Sequence, residues 1–264
     1  MSRPLWTLDE IAAAIGSCRI DGNTDRPVTG LSIDSRTLQP GDLFVALKDA
    51  RDGHEFVPAA FDAGAAAALV ARDYRAPAHR GDFTLIRFDD PLQGLENIAR
   101  EARRRTRARI VAVTGSAGKT GTKEMLRACL AACASSPERV HASAKSYNNH
   151  WGVPLTLARM PADTDFGIFE IGMNHAGEIT PLTRMVRPHV AIITNVLPVH
   201  LGHFASEKGI AEAKAEIFSG LEPGGTAILL RESPHYDLLQ RRAKEANARI
   251  VTFGAHEDAD YRRS

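Results

Sequence analysis

Downstream of residue 108, short apolar runs alternate with longer stretches in which apolar residues recur every three or four positions. The apolar, β-branched runs predict buried strands, and the amphipathic stretches predict helices. Strands that alternate with helices predict an α/β fold with a mostly parallel sheet flanked by helices. The predicted strands are Ile110–Thr114, Phe166–Ile171, Val190–Val196, Thr226–Leu230 and Arg249–Phe253. The predicted helices are Thr120–Ala134, Gly177–Val186, Glu207–Leu221 and His235–Ala246.

The first part of the chain has a different pattern, with shorter elements between turn signals such as Asp21-Gly22 and Asp52-Gly53. Strand-like pieces at Gly30–Ile33 and Asp42–Leu47 precede a helical stretch at Phe56–Gly64. A chain of 264 residues also fits two domains, since single domains average roughly 100–150 residues. We therefore expect a small mixed α/β domain over residues 1–85 and a P-loop-type domain over residues 86–264.

Composition and charge exclude several functional classes. Lys and Arg number 33 against 32 Asp and Glu, a balance that argues against a dedicated nucleic-acid binder. The basic run Arg100–Arg109 is interpreted as a solvent-exposed helix. The longest apolar run, Ala65–Ala71, is too short to cross a membrane, which predicts no membrane insertion. Three cysteines without a CxxC pair fit a reducing cytoplasm, and Cys129 and Cys133 are expected to be buried.

A glycine-rich turn follows the strand Ile110–Thr114 and leads into a helix. Gly115 and Gly118 would let backbone N–H groups close around phosphate oxygens at the positive helix end. Lys119 would neutralise the β- and γ-phosphates, and the Thr120 hydroxyl would bind Mg²⁺. The loop is a shortened variant, because Val113 stands where an ordinary P-loop has glycine. The predicted ATP-binding residues are Thr114, Gly115, Ser116, Ala117, Gly118, Lys119 and Thr120.

Two polar side chains at the carboxyl ends of predicted strands are candidate metal ligands. Glu170 interrupts an apolar strand, where a buried carboxylate is costly unless it is paired or bound to metal. An edge-strand position or a structural salt bridge is the alternative explanation. His200 follows the next strand and is a second candidate, although a single histidine is more often structural. On sequence grounds, His203 is an equally acceptable ligand.

The position of Lys214 in the helical repeat is not that of a solvent-exposed lysine. It falls four residues after Ile210 and three before Ile217, on the apolar side of its predicted helix. A lysine on such a stripe is desolvated, which lowers its pKa and leaves a reactive neutral amine. Lys214 is therefore a candidate reactive group.

Four blocks in order along the chain resemble the Mur ligases of peptidoglycan synthesis, and most closely the branch that adds D-alanyl-D-alanine. The first block resembles the family's uridine-diphosphate-binding domain, and the second its ATP site. The first consists of Asp34-Ser35-Arg36, Gly41–Lys48 and Asp52-Gly53-His54, and the second is Thr114–Thr120. The third consists of Asn148–Leu157 and Glu170–Ile179, and the fourth of His200 and Ala211–Ile217.

The resemblance implies an ATP-dependent ligase that joins D-alanyl-D-alanine to UDP-N-acetylmuramoyl tripeptide through an acyl phosphate. It implies that Glu170 and His200 hold a second Mg²⁺ and that Lys214 is carbamylated and contributes to metal binding. A cytoplasmic monomer is expected. The substrate-binding residues implied are Ser35, Arg36, Lys48, His54 and either Asn148 or Asn149.

Two departures from the family pattern leave other functions open. Arg231–Pro234 replaces an Asn/Asp-rich motif, so contacts to adenine or ribose there are not implied. The sequence also lacks the family's C-terminal domain and the last part of its central domain. The alternatives are a related amino-acid-adding Mur ligase, a folylpolyglutamate-type ligase and a non-catalytic nucleotide-binding fragment.

Overall fold

The chain forms two compact units, each with its own β-sheet. Unit 1 comprises Met1–Arg105 and Leu157–Arg159, and unit 2 comprises Thr106–Thr156 and Met160–Ser264. Among the described residues, no helix combines the length and the apolar character that crossing a membrane requires. The computed structural model describes residues 4–77, 83–144, 146–198, 204 and 206–262.

Unit 1 is built on a five-stranded sheet. Its strands are β1 (Arg19–Asp21), β2 (Gly30–Ser32), β3 (Asp42–Val45), β4 (Ala67–Ala71) and β5 (Leu85–Phe88). The strand order is β1-β5-β4-β3-β2, and all neighbours are parallel except the antiparallel pair β1 and β5. Because β2 and β3 are parallel neighbours, the segments that follow them leave the same edge of the sheet.

The helices of unit 1 are positioned by apolar faces and by local capping. They are α1 (Leu8–Ile15), α2 (Val57–Asp62) and α3 (Pro91–Arg105), with a 3₁₀ turn at Gly53–Phe56. Helix α1 begins with a capping box in which Thr7 and Glu10 each accept the other's backbone N–H. Leu8, Ile11 and Ile15 form its buried face.

Helix α3 places the end of unit 1 twenty residues beyond the predicted boundary at 85. It packs against α1, β3 and β4, so the compact unit ends at Arg105. The basic run is helical as far as this residue. Arg100 and Arg104 form surface ion pairs with Glu96 and Glu101, as expected of a solvent-exposed helical face, but Arg103 is buried, so the interpretation holds for only part of the run.

Unit 2 is built on a seven-stranded, all-parallel sheet in the order β12-β11-β10-β9-β6-β8-β7. The α/β class with a mostly parallel sheet is therefore confirmed. All five predicted strands are present, although β9 ends at Ile193 rather than at Val196. The strands are β6 (Arg109–Thr114), β7 (Val140–Ala142), β8 (Phe166–Glu170), β9 (Val190–Ile193), β10 (Thr226–Leu230), β11 (Arg249–Gly254) and β12 (Tyr261–Arg262).

In the described part of unit 2, five α-helices connect these strands, and one of them changes pitch. The helix predicted to run to Leu221 is α-helical to Ala215 and continues as a 3₁₀ segment, Glu216–Gly220. Gly220 lies so close to the Thr183 carbonyl that a Cβ would overlap it, and the tighter turn allows this approach. The helices are α4 (Lys119–Ala131), α5 (Gly152–Ala158), α6 (Ile179–Val186), α7 (Glu207–Ala215) and α8 (Tyr236–Glu245).

The orientation of α4 contradicts the expected burial of two cysteines. Leu126 and Leu130 pack toward the core formed by β6, β8 and β9. Cys129 and Cys133 are exposed instead. Periodicity alone cannot distinguish the two sides of a helix in which small residues surround the apolar ones.

Candidate active site

The glycine-rich loop connects β6 to α4 at the carboxyl edge of the unit 2 sheet. Gly115 and Gly118 have φ angles of 152° and 82°, a backbone region that favours glycine. A Cβ on Gly115 would overlap the Thr194 hydroxyl. The Lys119 ammonium folds back over the loop and donates to the Gly115 carbonyl at 2.9 Å. The loop therefore has the compact shape that the sequence predicts for a phosphate cradle.

The segment after β9 braces this loop. The Thr194 hydroxyl donates to the Ala117 carbonyl at 2.6 Å, and the Asn195 side-chain oxygen accepts from the Ala117 N–H at 2.9 Å. The Ser116 hydroxyl accepts from the Leu197 N–H at 2.9 Å. Sequence reasoning did not assign Thr194 and Asn195 a role. The sequence signal that could have identified them is their position as two polar residues directly after an apolar strand.

Glu170 is the last residue of β8 and its side chain is buried, with 1% relative exposure. One carboxylate oxygen accepts from the Thr120 hydroxyl at 3.0 Å. The other accepts from the Asn148 side-chain amide at 2.8 Å. The structure thus brings together the end of the phosphate loop, a buried carboxylate and the Asn148 block.

The two candidate asparagines occupy different places. Asn148 reaches Glu170, and its carbonyl accepts from the Gly172 N–H at 2.8 Å. The Asn149 side chain accepts from the Gly152 N–H at 2.8 Å and holds the start of α5. Asn148 is therefore the asparagine whose side chain lies at the carboxylate.

Lys214 is buried on α7 with 3% relative exposure, as its phase on the helix predicts. Burial disfavours the ammonium form, and the positive charge of Lys119 adds to this effect. Together they lower the pKa of Lys214 to about 8. Near neutral or mildly alkaline pH, part of the population therefore carries an uncharged, nucleophilic amine.

The donors at the end of the phosphate loop suit Mg²⁺. Thr120 and Glu170 supply oxygen atoms 3.0 Å apart, and hard oxygen ligands are those that Mg²⁺ prefers. Among the described residues, no group of three or more His, Cys, Asp or Glu side chains could hold a metal. The predicted ligand His200 and its alternative His203 lie outside the described residues.

Arg231–Pro234, the segment that replaces the Asn/Asp-rich motif, lies at the carboxyl end of β10 and makes local contacts. The Arg231 guanidinium lies 4.4 Å from the centre of the Tyr236 ring. The Glu232 carboxylate accepts from the Ala255 N–H at 3.0 Å, in the turn after β11.

Two predicted substrate-binding residues lie in the turn after β2 of unit 1. Ser35 is half-buried and Arg36 is exposed. The Arg36 guanidinium forms two hydrogen bonds with Asp34, at 2.9 and 2.7 Å. This pairing aims an arginine side chain outward at the edge of the sheet.

Lys48 and His54 lie after β3, at the same edge, and both contact Asp52. The Lys48 ammonium is 3.4 Å from one carboxylate oxygen, and His54 Nδ1 is 2.6 Å from the other. His54 Nε2 accepts from the Ala71 N–H at 2.9 Å, which leaves Nδ1 as the donor to Asp52. Burial raises the pKa of Asp52, but hydrogen bonds from the His54 backbone and ring outweigh this effect and hold the pKa below its usual value. Both ring nitrogens of His54 are thus engaged in fixing the loop.

Two family models match the chain. Residues 113–264 match the Mur ligase middle domain, and residues 27–134 match the catalytic domain of the Mur ligase family. The phosphate loop, Glu170 and Lys214 lie within the first match.

Two curated relatives share one name. The UDP-N-acetylmuramoyl-tripeptide–D-alanyl-D-alanine ligase of Bacillus subtilis is 38% identical over 232 residues, covering 88% of this chain and 49% of the relative. The ligase of the same name from Escherichia coli is 39% identical over 206 residues, covering 78% of this chain and 44% of the relative. The chain thus spans about half the length of the curated relatives that it matches.

Solved structures agree with these matches. A MurF structure from Acinetobacter baumannii has a TM-score of 0.80 at 30% identity, covering 94% of this chain and 53% of that one. A MurF ligase from Thermotoga maritima in complex with ADP has a TM-score of 0.70 at 28% identity, covering 86% of this chain and 50% of that one.

Proposed function

Because this chain belongs to the Mur ligase family, we propose that it forms the nucleotide-binding part of a ligase that adds D-alanyl-D-alanine to UDP-N-acetylmuramoyl tripeptide. The observation that carries the proposal is the buried Glu170 carboxylate. It is held by Thr120 of the phosphate loop and by Asn148 of the block typical of the D-alanyl-D-alanine-adding branch. The names of the curated relatives support the same substrates.

The phosphate loop would bind ATP at the start of α4. Backbone N–H groups after Gly115 and at the N-terminus of α4 favour phosphate oxygens. Lys119, now bonded to the loop carbonyl, would turn its ammonium to the β- and γ-phosphates and offset charge that develops during phosphoryl transfer. The Ala117 N–H would exchange its bond to Asn195 for a phosphate oxygen.

Thr120 would hold the Mg²⁺ that accompanies the phosphates, and Glu170 and His200 would hold a second Mg²⁺. Bound there, Mg²⁺ would screen the repulsion between the γ-phosphate and the acceptor carboxylate. The Asn148 amide fixes the orientation of the Glu170 carboxylate.

The proposed reaction has two steps. The terminal carboxylate of the tripeptide attacks the γ-phosphorus, ADP leaves and an acyl phosphate forms. The amine of D-alanyl-D-alanine then attacks the acyl carbon and loses a proton, and inorganic phosphate leaves from the tetrahedral intermediate. The neutral amine of Lys214 would add CO₂ and release a proton, which replaces a buried cation with a carboxylate-like metal ligand.

Unit 1 would bind the uridine diphosphate portion of the acceptor. Arg36 and Lys48 lie at one sheet edge, where each is paired with an aspartate, and would turn their positive charges to the diphosphate. Ser35 supplies a hydroxyl, and His54 holds the loop that carries Lys48. We further propose a cytoplasmic monomer that acts on these soluble substrates and binds neither nucleic acid nor membrane.

Phosphate release from ATP tests this proposal. It is measured with UDP-N-acetylmuramoyl tripeptide, with and without D-alanyl-D-alanine. Release that requires both compounds supports the ligase. Release with a different amino-acid acceptor would assign the chain to another branch, and nucleotide binding without release would identify a non-catalytic module.

A further inference from the structure

A second buried lysine lies one helical turn from the phosphate loop. Lys123 is three residues after Thr120, and its side chain has 1% relative exposure. Within α4, all of which is described, it is the only buried residue. Taking an ammonium out of water is costly unless hydrogen bonds and opposite charges compensate. The proposed reaction assigns it no task.

The Lys123 ammonium is held in a defined direction. It donates to the Ser143 carbonyl at 2.7 Å and lies 3.1 Å from the Glu124 carboxylate. Hydrogen bonds from Arg127 and from Lys123 lower the pKa of Glu124, so this partner is ionised at neutral pH. The contact to Ser143 is therefore a charge-assisted bond in a buried place, which fixes position more firmly than a neutral one.

Ser143 continues this chain of contacts to Glu170. It follows β7, and its N–H donates to the Ile168 carbonyl at 3.1 Å. Its hydroxyl accepts from the Glu170 N–H at 3.2 Å. Ser143 also begins the segment that leads to Asn148, the amide donor to the Glu170 carboxylate.

Helix α4 thus holds Glu170 in two ways. Thr120 donates directly to the carboxylate, and Lys123 holds the backbone of the same residue through Ser143. Residues three apart lie on one face of a helix, so both contacts come from the same side. The two supports together fix the direction of the carboxylate.

We propose that Lys123 is a positioning residue that acts through Ser143 on Glu170 and thereby sets the divalent-cation affinity of the nucleotide site. The inference rests on the proposed function, because it takes Glu170 as a metal ligand. Residues that orient a metal ligand without touching the metal typically change affinity by roughly 10–100-fold when they are replaced.

Mn²⁺ binding to the 264-residue chain tests the proposal. Free Mn²⁺ is followed by electron paramagnetic resonance in the presence of a saturating, non-hydrolysable ATP analogue. Lys123→Met is expected to weaken Mn²⁺ binding about 10–100-fold, while binding of the analogue in EDTA is unchanged. Lys244→Met is the matched control, because Lys244 is an exposed helical lysine, and it is expected to bind Mn²⁺ like the wild type.

The Ser143→Ala variant distinguishes positioning of Glu170 by Lys123 from a general effect on folding. It removes the acceptor for the Glu170 N–H but keeps the carbonyl that Lys123 contacts. We expect it to weaken Mn²⁺ binding, and we expect Lys123→Met to add little in the Ser143→Ala background, since both act on one chain of contacts. Losses that multiply in the double variant would show that Lys123 does not act through Ser143.

The remaining outcomes are decisive. Wild-type Mn²⁺ affinity in a folded Lys123→Met variant overturns the proposal. If that variant does not fold, wild-type affinity in Ser143→Ala overturns it. A wild-type chain that binds no nucleotide with Mn²⁺ overturns the proposed function as well, whereas wild-type binding with unaltered variants overturns this inference alone.

Discussion

At the residue scale, a small number of buried polar side chains define the site. Glu170 and Lys214 are both nearly inaccessible to water, yet the structure treats them differently. Glu170 accepts hydrogen bonds from two side chains, which compensate its charge. The Lys214 ammonium is buried near the positive charge of Lys119, which lowers the pKa of Lys214 toward neutrality. The first group is suited to holding a metal and the second to reacting.

Lys119→Ala should weaken binding of ATP while leaving the uridine nucleotide substrate bound to unit 1. The variant loses the ammonium that offsets phosphate charge, and a hydrogen bond to a charged group contributes roughly 1.5–3 kcal/mol, so we expect ATP affinity to fall about 10–100-fold. Isothermal titration with each ligand separately checks both statements. Loss of both affinities would contradict the assignment of two nucleotide sites.

Lys214→Met should make the protein more stable at neutral pH, and the gain should shrink in alkali. The pKa of Lys214 is about 8 in the folded chain, against an ordinary value of 10.5. Below pH 8 the buried Lys214 ammonium lowers the free energy of unfolding by its full amount, ~3 kcal/mol from the pKa shift. Between pH 8 and 10.5 the unfolded chain binds a proton that the folded chain does not, so wild-type stability rises toward that of the variant.

Denaturant unfolding of both proteins in CO₂-free buffer at pH 7, 9 and 10.5 measures this difference. A stability gap that stays constant across the three pH values would show that Lys214 has an ordinary pKa.

Lys214→Ala should be inactive in the phosphate-release assay and should recover part of its activity with formate or acetate. The short carboxylate would occupy the place of the proposed carbamate. The assay is run in CO₂-free buffer over a range of carboxylate concentrations. Full activity of the variant without any added carboxylate would contradict the carbamate role.

At the element scale, the end of α7 is joined to the start of α6. The Glu216 carboxylate accepts from the Gly177 N–H at 2.6 Å and from the Thr180 N–H and hydroxyl, each at 3.0 Å. The Thr183 hydroxyl donates to the Ile217 carbonyl at 2.8 Å. These contacts fix the helix that carries Lys214.

Gly220→Ala should destabilise unit 2 by ~1–3 kcal/mol, the usual cost of overpacking, because its Cβ would overlap the Thr183 backbone. Gly121→Ala is the matched control. A Cβ there meets no atom within 4 Å on α4, so we expect a gain of ~0.5–1 kcal/mol from helix propensity. Chemical denaturation of both variants gives the two values, and equal effects would contradict the close approach of α6 to the 3₁₀ segment.

Elements with long apolar periodicity could be predicted from the sequence, and those shaped by distant contacts could not. Strand β7 is three residues long and has too little pattern to identify. Strand β9 ends early because Thr194 and Asn195 turn away to bind the phosphate loop.

The same distinction holds for the candidate site. The phosphate loop, Glu170 and Lys214 each break a local pattern and could be recognised without the fold. Lys123 could not, because a helical lysine is expected to face water and its partner Ser143 lies twenty residues away in sequence.

At the scale of the whole molecule, the two units should respond to different ligands. A ligand that binds one folded unit stabilises it by about 2.7 kcal/mol at a concentration of 100 times its Kd. A non-hydrolysable ATP analogue with Mg²⁺ is therefore expected to slow hydrogen exchange in unit 2, and the uridine nucleotide substrate is expected to slow it in unit 1. Protection of the same segments by both ligands would contradict separate sites.

The central place of β6 determines when the nucleotide site can form during synthesis. Its neighbours β8 and β9 both follow it in the chain, and the bonds that brace the phosphate loop come from residues as late as Leu197. A ribosome-bound chain that has released only the loop and α4 therefore has neither the flanking strands nor the brace. The ability to bind nucleotide is therefore expected only after Leu197 has emerged, because the loop depends on pairings between distant segments, which form slowly.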